Sequence, residues 1–135
     1  MKYLIDTSAL TRVLRKQADP SWSDVEDRGL LSVCEPVLAE TLLIAPSKEY
    51  AATEESLNAR FVPVTVPDGV WYLVRVIRRE LVPHGAHRGL SVADLVIAAT
   101  AMRLKLTVLH EDADFETVSR YVPEIRQHRL SAGPP

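Results

Sequence analysis

What this chain of 135 residues lacks narrows its class before any motif is considered. It has one cysteine, Cys34, so no disulfide can form within it and a thiolate zinc site is excluded. No apolar run reaches the roughly 20 residues needed to span a bilayer. The first apolar run, Tyr3 to Ile5, stops at Asp6, which is not the pattern of a signal peptide. Together these shortages lead to the expectation of a cytoplasmic protein with no membrane contact. A charge excess of one sign is also missing: 16 Lys and Arg stand against 18 Asp and Glu, a formal net charge of -2. Bulk charge therefore neither advertises nor excludes nucleic-acid binding, because an acidic metal site can sit inside a basic rim. There is no Walker loop, no GxGxxG and no Ser/His/Asp order. With no internal repeat, residues 1–135 are expected to form a single domain, with 131–135 as a frayed tail.

What is present divides into short strands and helices separated by Pro and Gly signals. Apolar residues make up 47% and charged residues 25%, the balance of a globular protein able to bury a core without a staple. The chain is organised around its first ten residues. Tyr3-Leu4-Ile5 is an apolar, β-favouring run suited to a strand buried on both faces of a parallel sheet, and it ends abruptly at Asp6. Thr7 and Ser8 can cap a helix expected over residues 9–16, with Leu10, Val13 and Leu14 inward and Arg12, Arg15 and Lys16 outward. Asp19-Pro20-Ser21 starts a second helical segment in which Trp22 and Val25 are three apart, and Gly29 stops it. Residues 30–34 read as a second buried strand. Pro36 opens a helix through about residue 45, where Glu40 stands among Val37, Leu38, Leu42 and Leu43. A glutamate buried there needs a partner, whereas one on the helix surface simply faces water.

Residues 48–60 read as a polar partner helix whose Tyr50, Leu57 and neighbouring Phe61 can reach the core. Residues 61–66 form an edge strand or extended connection, since Pro63 cannot serve a central strand. Val70, Leu73, Val74, Ile77 and Leu81 mark the apolar face of a helix over 70–81, with Arg75, Arg78 and Arg79 elsewhere on it. The segment 83–89 carries His84, His87 and Arg88 in a loop. Two histidines without a third ligand make a poor metal site, and a solvated or RNA-facing loop is preferred. Ser91 caps a helix over 92–104, Asp94 occupies its third position as a capping-box acid, and the apolar run LVIAATAM implies burial on most sides. Residues 107–109 form a third strand, followed by the acids Glu111, Asp112 and Asp114, a short helix over 115–121 and a last edge strand over 127–130.

Asp6 alone reads as a helix cap. Three further acids at comparable places change that: Glu40, Asp94, and Asp112 with Asp114. In a parallel sheet with right-handed crossovers, the carboxyl ends of neighbouring strands share one edge, where such acids converge. Carboxylates without histidine or thiolate neighbours suit hard divalent cations, Mg²⁺ or Mn²⁺. One or two such ions can activate water and stabilise both oxygens of a phosphodiester displacement, so no protein nucleophile is needed. Arg12, Arg15, His87 and Arg88 are the candidate phosphate contacts around that centre.

The stretches MKYLIDTSAL, Ala39-Glu40, LSVADLVIAATA and VLHEDADF, in this order and spacing over nearly the whole chain, resemble the PIN-domain ribonucleases, specifically the VapC toxins of toxin-antitoxin pairs. The resemblance implies a three-layer α/β/α sandwich with a central, mostly parallel sheet and a Mg²⁺-dependent endoribonuclease acting on structured RNA, transfer or ribosomal. It also implies a homodimer, and a VapB-type antitoxin that inhibits the toxin within a hetero-oligomer. Asp6, Glu40, Asp94 and Asp112 match the acidic quartet, with Asp114 as an alternative or additional metal ligand, and Thr7 or Ser8 matches the hydroxyl position beside the first acid. Two rivals stand beside this reading. A phosphoacceptor receiver domain wants an acidic pair in its first loop and a late lysine, while a catalytically silent PIN-fold binding module usually lacks one or more of the acids.

Overall fold

A computed structural model describes all residues, Met1 to Pro135. Five strands form one sheet in the order β3-β2-β1-β4-β5: β1 (Tyr3–Ile5), β2 (Leu31–Val33), β3 (Val62–Pro63), β4 (Thr107–His110) and β5 (Arg126–Arg129). Every pairing is parallel, with Tyr3 opposite both Leu31 and Thr107. Seven helices flank the sheet in a three-layer α/β/α arrangement: α1 (Thr7–Leu14), α2 (Trp22–Asp27), α3 (Glu35–Leu42), α4 (Tyr50–Arg60), α5 (Val70–Leu81), α6 (Val92–Leu104) and α7 (Ala113–Tyr121). The chain builds outward from β1 to β2 and β3, then returns to lay β4 on the other side of β1. The reversal makes the β1/β4 junction a topological switch point, where the loops leaving the two strands part and open a crevice.

The central strands are short and, apart from His110 at the end of β4, apolar or small, as burial on both faces requires, while the edges are polar or carry proline. α6 is the most enclosed helix, with Leu95 to Ala101 buried without a break. Its small residues let it pack closely on its neighbours, which include α3 and α5. α5 shows the opposite pattern, burying only Val70, Val74, Ile77 and Leu81. Both helices occupy the residues expected of them.

Several boundaries differ from expectation, each for a local reason. α1 begins at Thr7 and ends at Leu14, because Asp6 itself is the cap. α3 ends at Leu42, leaving Leu43 and Ile44 each 81% exposed. α4 starts at Tyr50, whose ring lies outside the core, whereas Leu57 and Phe61 are buried as expected. α7 starts two residues early, capped by Asp112. The 83–89 loop contains two 3₁₀ turns, Val82–His84 and Ala86–Arg88.

Of the tail expected to fray, 131–135, the structure ties down the part as far as Gly133. Leu130 is buried at the head of a 3₁₀ turn, Leu130–Ala132. The Trp22 indole Nε1 donates to the Leu130 carbonyl at 2.9 Å, and a His128 ring nitrogen lies 2.6 Å from the Gly133 carbonyl. Trp22 also meets Tyr3 and His128 edge-on, so the second helix and the last strand close over the same end of β1. Trp22→Phe keeps most of the apolar contact but leaves the Leu130 carbonyl without its buried donor. It should cost roughly 1–3 kcal/mol in urea denaturation, with little change in the slope.

Candidate functional site

Three of the five candidate carboxylates begin helices, which explains how a chain can hold them in place. Asp6 caps α1 in extended conformation, its Oδ1 accepting from the Ala9 amide at 2.9 Å and from the Ser8 hydroxyl at 2.8 Å. Its own amide donates to Leu109 of β4 at 3.0 Å, so the residue leaves β1 fastened to the neighbouring strand. Asp94 completes the capping box of α6: its amide donates to the Ser91 hydroxyl at 3.1 Å, and its Oδ2 accepts from the Ser91 amide at 3.4 Å. Asp112 caps α7, accepting from the Asp114 amide at 2.9 Å. Helix starts carry partial positive charge, which with these hydrogen bonds compensates the acids in place of a cationic side chain.

Glu40 departs from the buried alternative. It is exposed on α3, and its Oε1 accepts from the Thr7 hydroxyl at 2.6 Å, which tethers it beside the end of β1. Asp114 lies at the first turn of α7 against the 83–89 loop. A Cβ added at Gly89 would stand 3.1 Å from its Oδ1, so the bare glycine is what lets that loop approach so closely.

The charges of several of these acids act on one another. Asp6 is only 2% exposed, and its carboxyl is pushed up to about 6 by burial, with the charges of Asp94 and Asp112 adding to the effect against the bonds from Ala9 and Ser8. Asp94 is raised by burial first and then by Asp112 and Glu40, against the Ser91 bonds. Asp114 is raised by burial and by Asp112. None of the five forms an ion pair; the four ion pairs of the molecule use Asp24, Glu26, Glu111 and Glu116 instead. No three of the molecule's acidic, histidine or cysteine side chains lie close enough together to make a metal-holding group.

Glu111, within the same acidic run, does a different job. It binds the Arg129 guanidinium at 3.1 Å and the Ser131 amide at 2.9 Å, and those bonds, opposing its partial burial, hold its carboxyl below the ordinary range. His110 escapes a reading by motif, and Ser8, expected as the hydroxyl beside the first acid, has a second role. Ser8, besides bonding Asp6, accepts from the Glu111 amide at 2.9 Å and so locks the β1 loop to the β4 loop. His110, fully buried, accepts from the Asp112 amide at Nδ1 (3.0 Å) and donates from Nε2 to Gln127 at 2.6 Å, which fixes one tautomer and steadies the turn carrying Asp112. No spacing rule relates Ser8 to Glu111 across 103 residues; for His110, only its strand-end position gave a signal.

Of the cations, Arg12 turns one guanidinium N–H back onto the Ser8 carbonyl at 2.9 Å and is half-buried. Arg15, His87 and Arg88 are exposed. A groove of about 350 Å³ adjoins the site, lined by Thr7, Leu14, Arg15, Glu40 and Ile44 among others.

Comparison with known proteins is consistent across sequence and fold. The family model described as PIN domain matches residues 3–121. Ribonuclease VapC6 of Mycobacterium tuberculosis is 37% identical over 98 residues, covering 72% of this chain and 77% of the relative. Ribonuclease VapC2 of the same species is 34% identical over 137 aligned positions, covering 99% and 96%. Among solved structures, VapBC2 from Rickettsia felis, bound to a DNA fragment from its promoter, superposes with a TM-score of 0.76 at 17% identity over 96% of this chain and 98% of the other. VapBC-5 from Mycobacterium tuberculosis gives 0.67 at 24% identity, with the same coverages.

The raised carboxyl of Asp6 has a measurable consequence. Because its folded-state value lies above the ordinary value of 3.8, the folded protein holds that proton more tightly, so this group's contribution to stability falls as pH rises from about 4 to about 6 and stays low above. The burden at neutral pH is on the order of 3 kcal/mol. Asp6→Asn can keep the cap while removing the charge. In metal-free denaturation, the stability of wild type relative to Asp6→Asn should therefore decline between pH 4 and pH 6, and a difference that is flat or rises with pH would contradict the assignment.

Proposed function

The chain belongs to the PIN-domain family and, within it, to the VapC ribonucleases, and from that premise we propose that it is a Mg²⁺-dependent endoribonuclease toxin that cleaves structured cellular RNA, transfer or ribosomal, and is inhibited by a VapB-type antitoxin. The observation that supports this most is the uncompensated negative charge at the β1/β4 switch point, where five carboxylates have no cationic side chain. The donor set is all oxygen, which suits Mg²⁺ and, as a substitute, Mn²⁺. Family membership removes the receiver-domain alternative, and retention of every acid counts against a silent module.

In this reading Asp6, Asp94 and Asp112 would hold the ion, whose preference is for a few carboxylates with water kept beside them. A bound divalent ion supplies charge stabilisation to the phosphodiester and lowers the pKa of the attacking water. Asp6, buried and braced by Ser8, keeps its position when the charge around it changes. Glu40, exposed and pinned by Thr7, is placed to orient or deprotonate water at the open side of the site. Asp112 is coupled to both Asp6 and Asp94, whereas Asp114 is coupled to Asp112; that pattern supports Asp112 as the main fourth acid and Asp114 as an auxiliary ligand. Arg15, His87 and Arg88 serve as the outer RNA contacts, with Arg12 contributing through its remaining N–H groups.

The groove beside Glu40, with Leu14 and Ile44 on its walls, suits a segment of the antitoxin carrying an apolar side chain and an Arg or Lys that reaches the acids. A second copy completes the proposed assembly as a homodimer within a toxin-antitoxin hetero-oligomer. The test is cleavage of a panel of folded transfer and ribosomal RNA fragments with and without Mg²⁺. Wild type should cleave only with the metal, and Asp94→Asn should lose at least about 100-fold in rate while remaining folded. Activity in chelator, or equal activity of the variant, would overturn the proposal. Co-expression of the small open reading frame beside the gene should abolish toxicity; unchanged toxicity would contradict the inhibitory partner.

A further inference from the structure

The outer face of α5 combines aromatic rings and cations in a way that neither the core nor the acidic site requires. At roughly 100° per residue, Trp71, Tyr72, Arg75, Arg78, Arg79 and Val82 fall within one third of the helix circumference, opposite the buried Val70, Val74, Ile77 and Leu81. Trp71 is 62% and Tyr72 65% exposed, far more than large aromatic rings usually are. The three arginines are exposed and form no ion pair. Glu80, the helix's only acid, lies off this face. Arg103, near the C-terminal end of α6, shares a recess with Tyr72 and Asp68 and is likewise unpaired, so the patch extends onto the next helix.

In a chain of net charge -2, this is a local reversal of sign. We propose that the Trp71/Tyr72/Arg75/Arg79 face of α5 is a second RNA-docking surface, which holds the phosphate backbone and an unstacked base of a folded substrate away from the acidic centre. The inference rests on the ribonuclease reading and adds a surface to it. Exposed rings between unpaired guanidinium groups match the two features of RNA that every nucleotide offers, a phosphate and a π-face. A second copy of this chain is the competing occupant, and charge disfavours it, since a two-fold contact would bring like arginines together.

The placement suits a long substrate. α5 leads through the two 3₁₀ turns carrying His87 and Arg88 to Gly89, beside Asp114. α6 then runs back, so that Arg103, nine residues beyond Asp94, stands next to Tyr72. The far end of the face is thus about 14 Å from the acids measured along α6. A folded RNA spans that interval with its backbone in regular geometry, whereas a strand of two or three nucleotides reaches it only when fully drawn out. Arginines here extend the rim away from the carboxylates, which repel phosphate at close range.

The experiment uses the full chain in an Asp94→Asn background, with a folded transfer RNA transcript as probe and a trinucleotide as control. Trp71→Ala/Tyr72→Ala and Arg75→Ala/Arg79→Ala should each weaken transcript binding by about tenfold or more. The arginine pair should also flatten the slope of log K against log salt by roughly 1.5, for two phosphate contacts. Bound transcript should shield Trp71 from acrylamide quenching, a signal little confused by Trp22, which is 3% exposed. In the cleaving protein the same pairs should raise KM for the transcript and leave trinucleotide cleavage unchanged. Unaltered affinity, salt slope and quenching would overturn the proposal, as would variants that only dissociate a dimer. Failure of the wild type to cleave any RNA would sink the ribonuclease reading, and because these binding measurements need no turnover the two failures are distinguishable.

Discussion

Negative charge held where it cannot relax is the constraint on which the rest of this structure depends. Asp6 leaves a three-residue strand in the middle of the sheet and is almost wholly enclosed, yet no lysine or arginine reaches it. A buried carboxylate of this kind is tolerated only if its surroundings fix it firmly and leave its charge to be met from outside. Both conditions hold. The Ala9 amide and the Ser8 hydroxyl fix it, Ser8 in turn clasps the Glu111 amide, and the Asp6 amide is bonded to β4. The switch point between β1 and β4 thus becomes a stiff rim around negative charge that no side chain neutralises.

The same residues serve the fold and the site. Asp6, Asp94 and Asp112 stand at the starts of α1, α6 and α7, so each acid is positioned by the helix it begins and shares the field of that helix's amino end. A capping role and a ligand role are often set against one another when a sequence is read, but here the cap supplies the rigidity that a ligand needs. Cations are kept away from this centre. Arg129 is committed to Glu111 and Glu116, Arg60 to Glu26, and the unpaired arginines of α5 face solvent on the far side of the loop bearing His87 and Arg88. Charge of each sign therefore has its own place in a chain that is nearly neutral as a whole.

How much of this is legible in the sequence depends on how local the cause is. α5 follows from its periodicity, and α6 from the Ser91/Asp94 capping box and the apolar run behind it, so both match the structure. The parallel sheet follows from short apolar runs separated by helices, and its polar or proline-bearing edges from their composition. Glu40 was ambiguous because a single acid in an apolar helix can point either way; the Thr7 hydroxyl that decides it comes from 33 residues away. The ordering of the tail was missed for the same reason. Ser131 and Gly133 look like loop residues, but Glu111, Trp22 and His128 hold that turn through side-chain bonds that no periodicity records. The acids were found by their repeated position after strands and at helix starts, whereas their coupling needs the strand order β2-β1-β4.

If the uncompensated charge at the switch point serves to receive a cation, binding near pH 6 should release protons from Asp6, whose carboxyl is pushed up to about 6. The most direct measurement is calorimetric titration of Mn²⁺ into the metal-free protein at pH 6, in two buffers of different ionisation enthalpy. The account requires binding accompanied by proton release, so that the apparent enthalpy differs between buffers, and it requires this difference to shrink in Asp6→Asn. Absence of binding, or buffer-independent heats for the wild type, would contradict it.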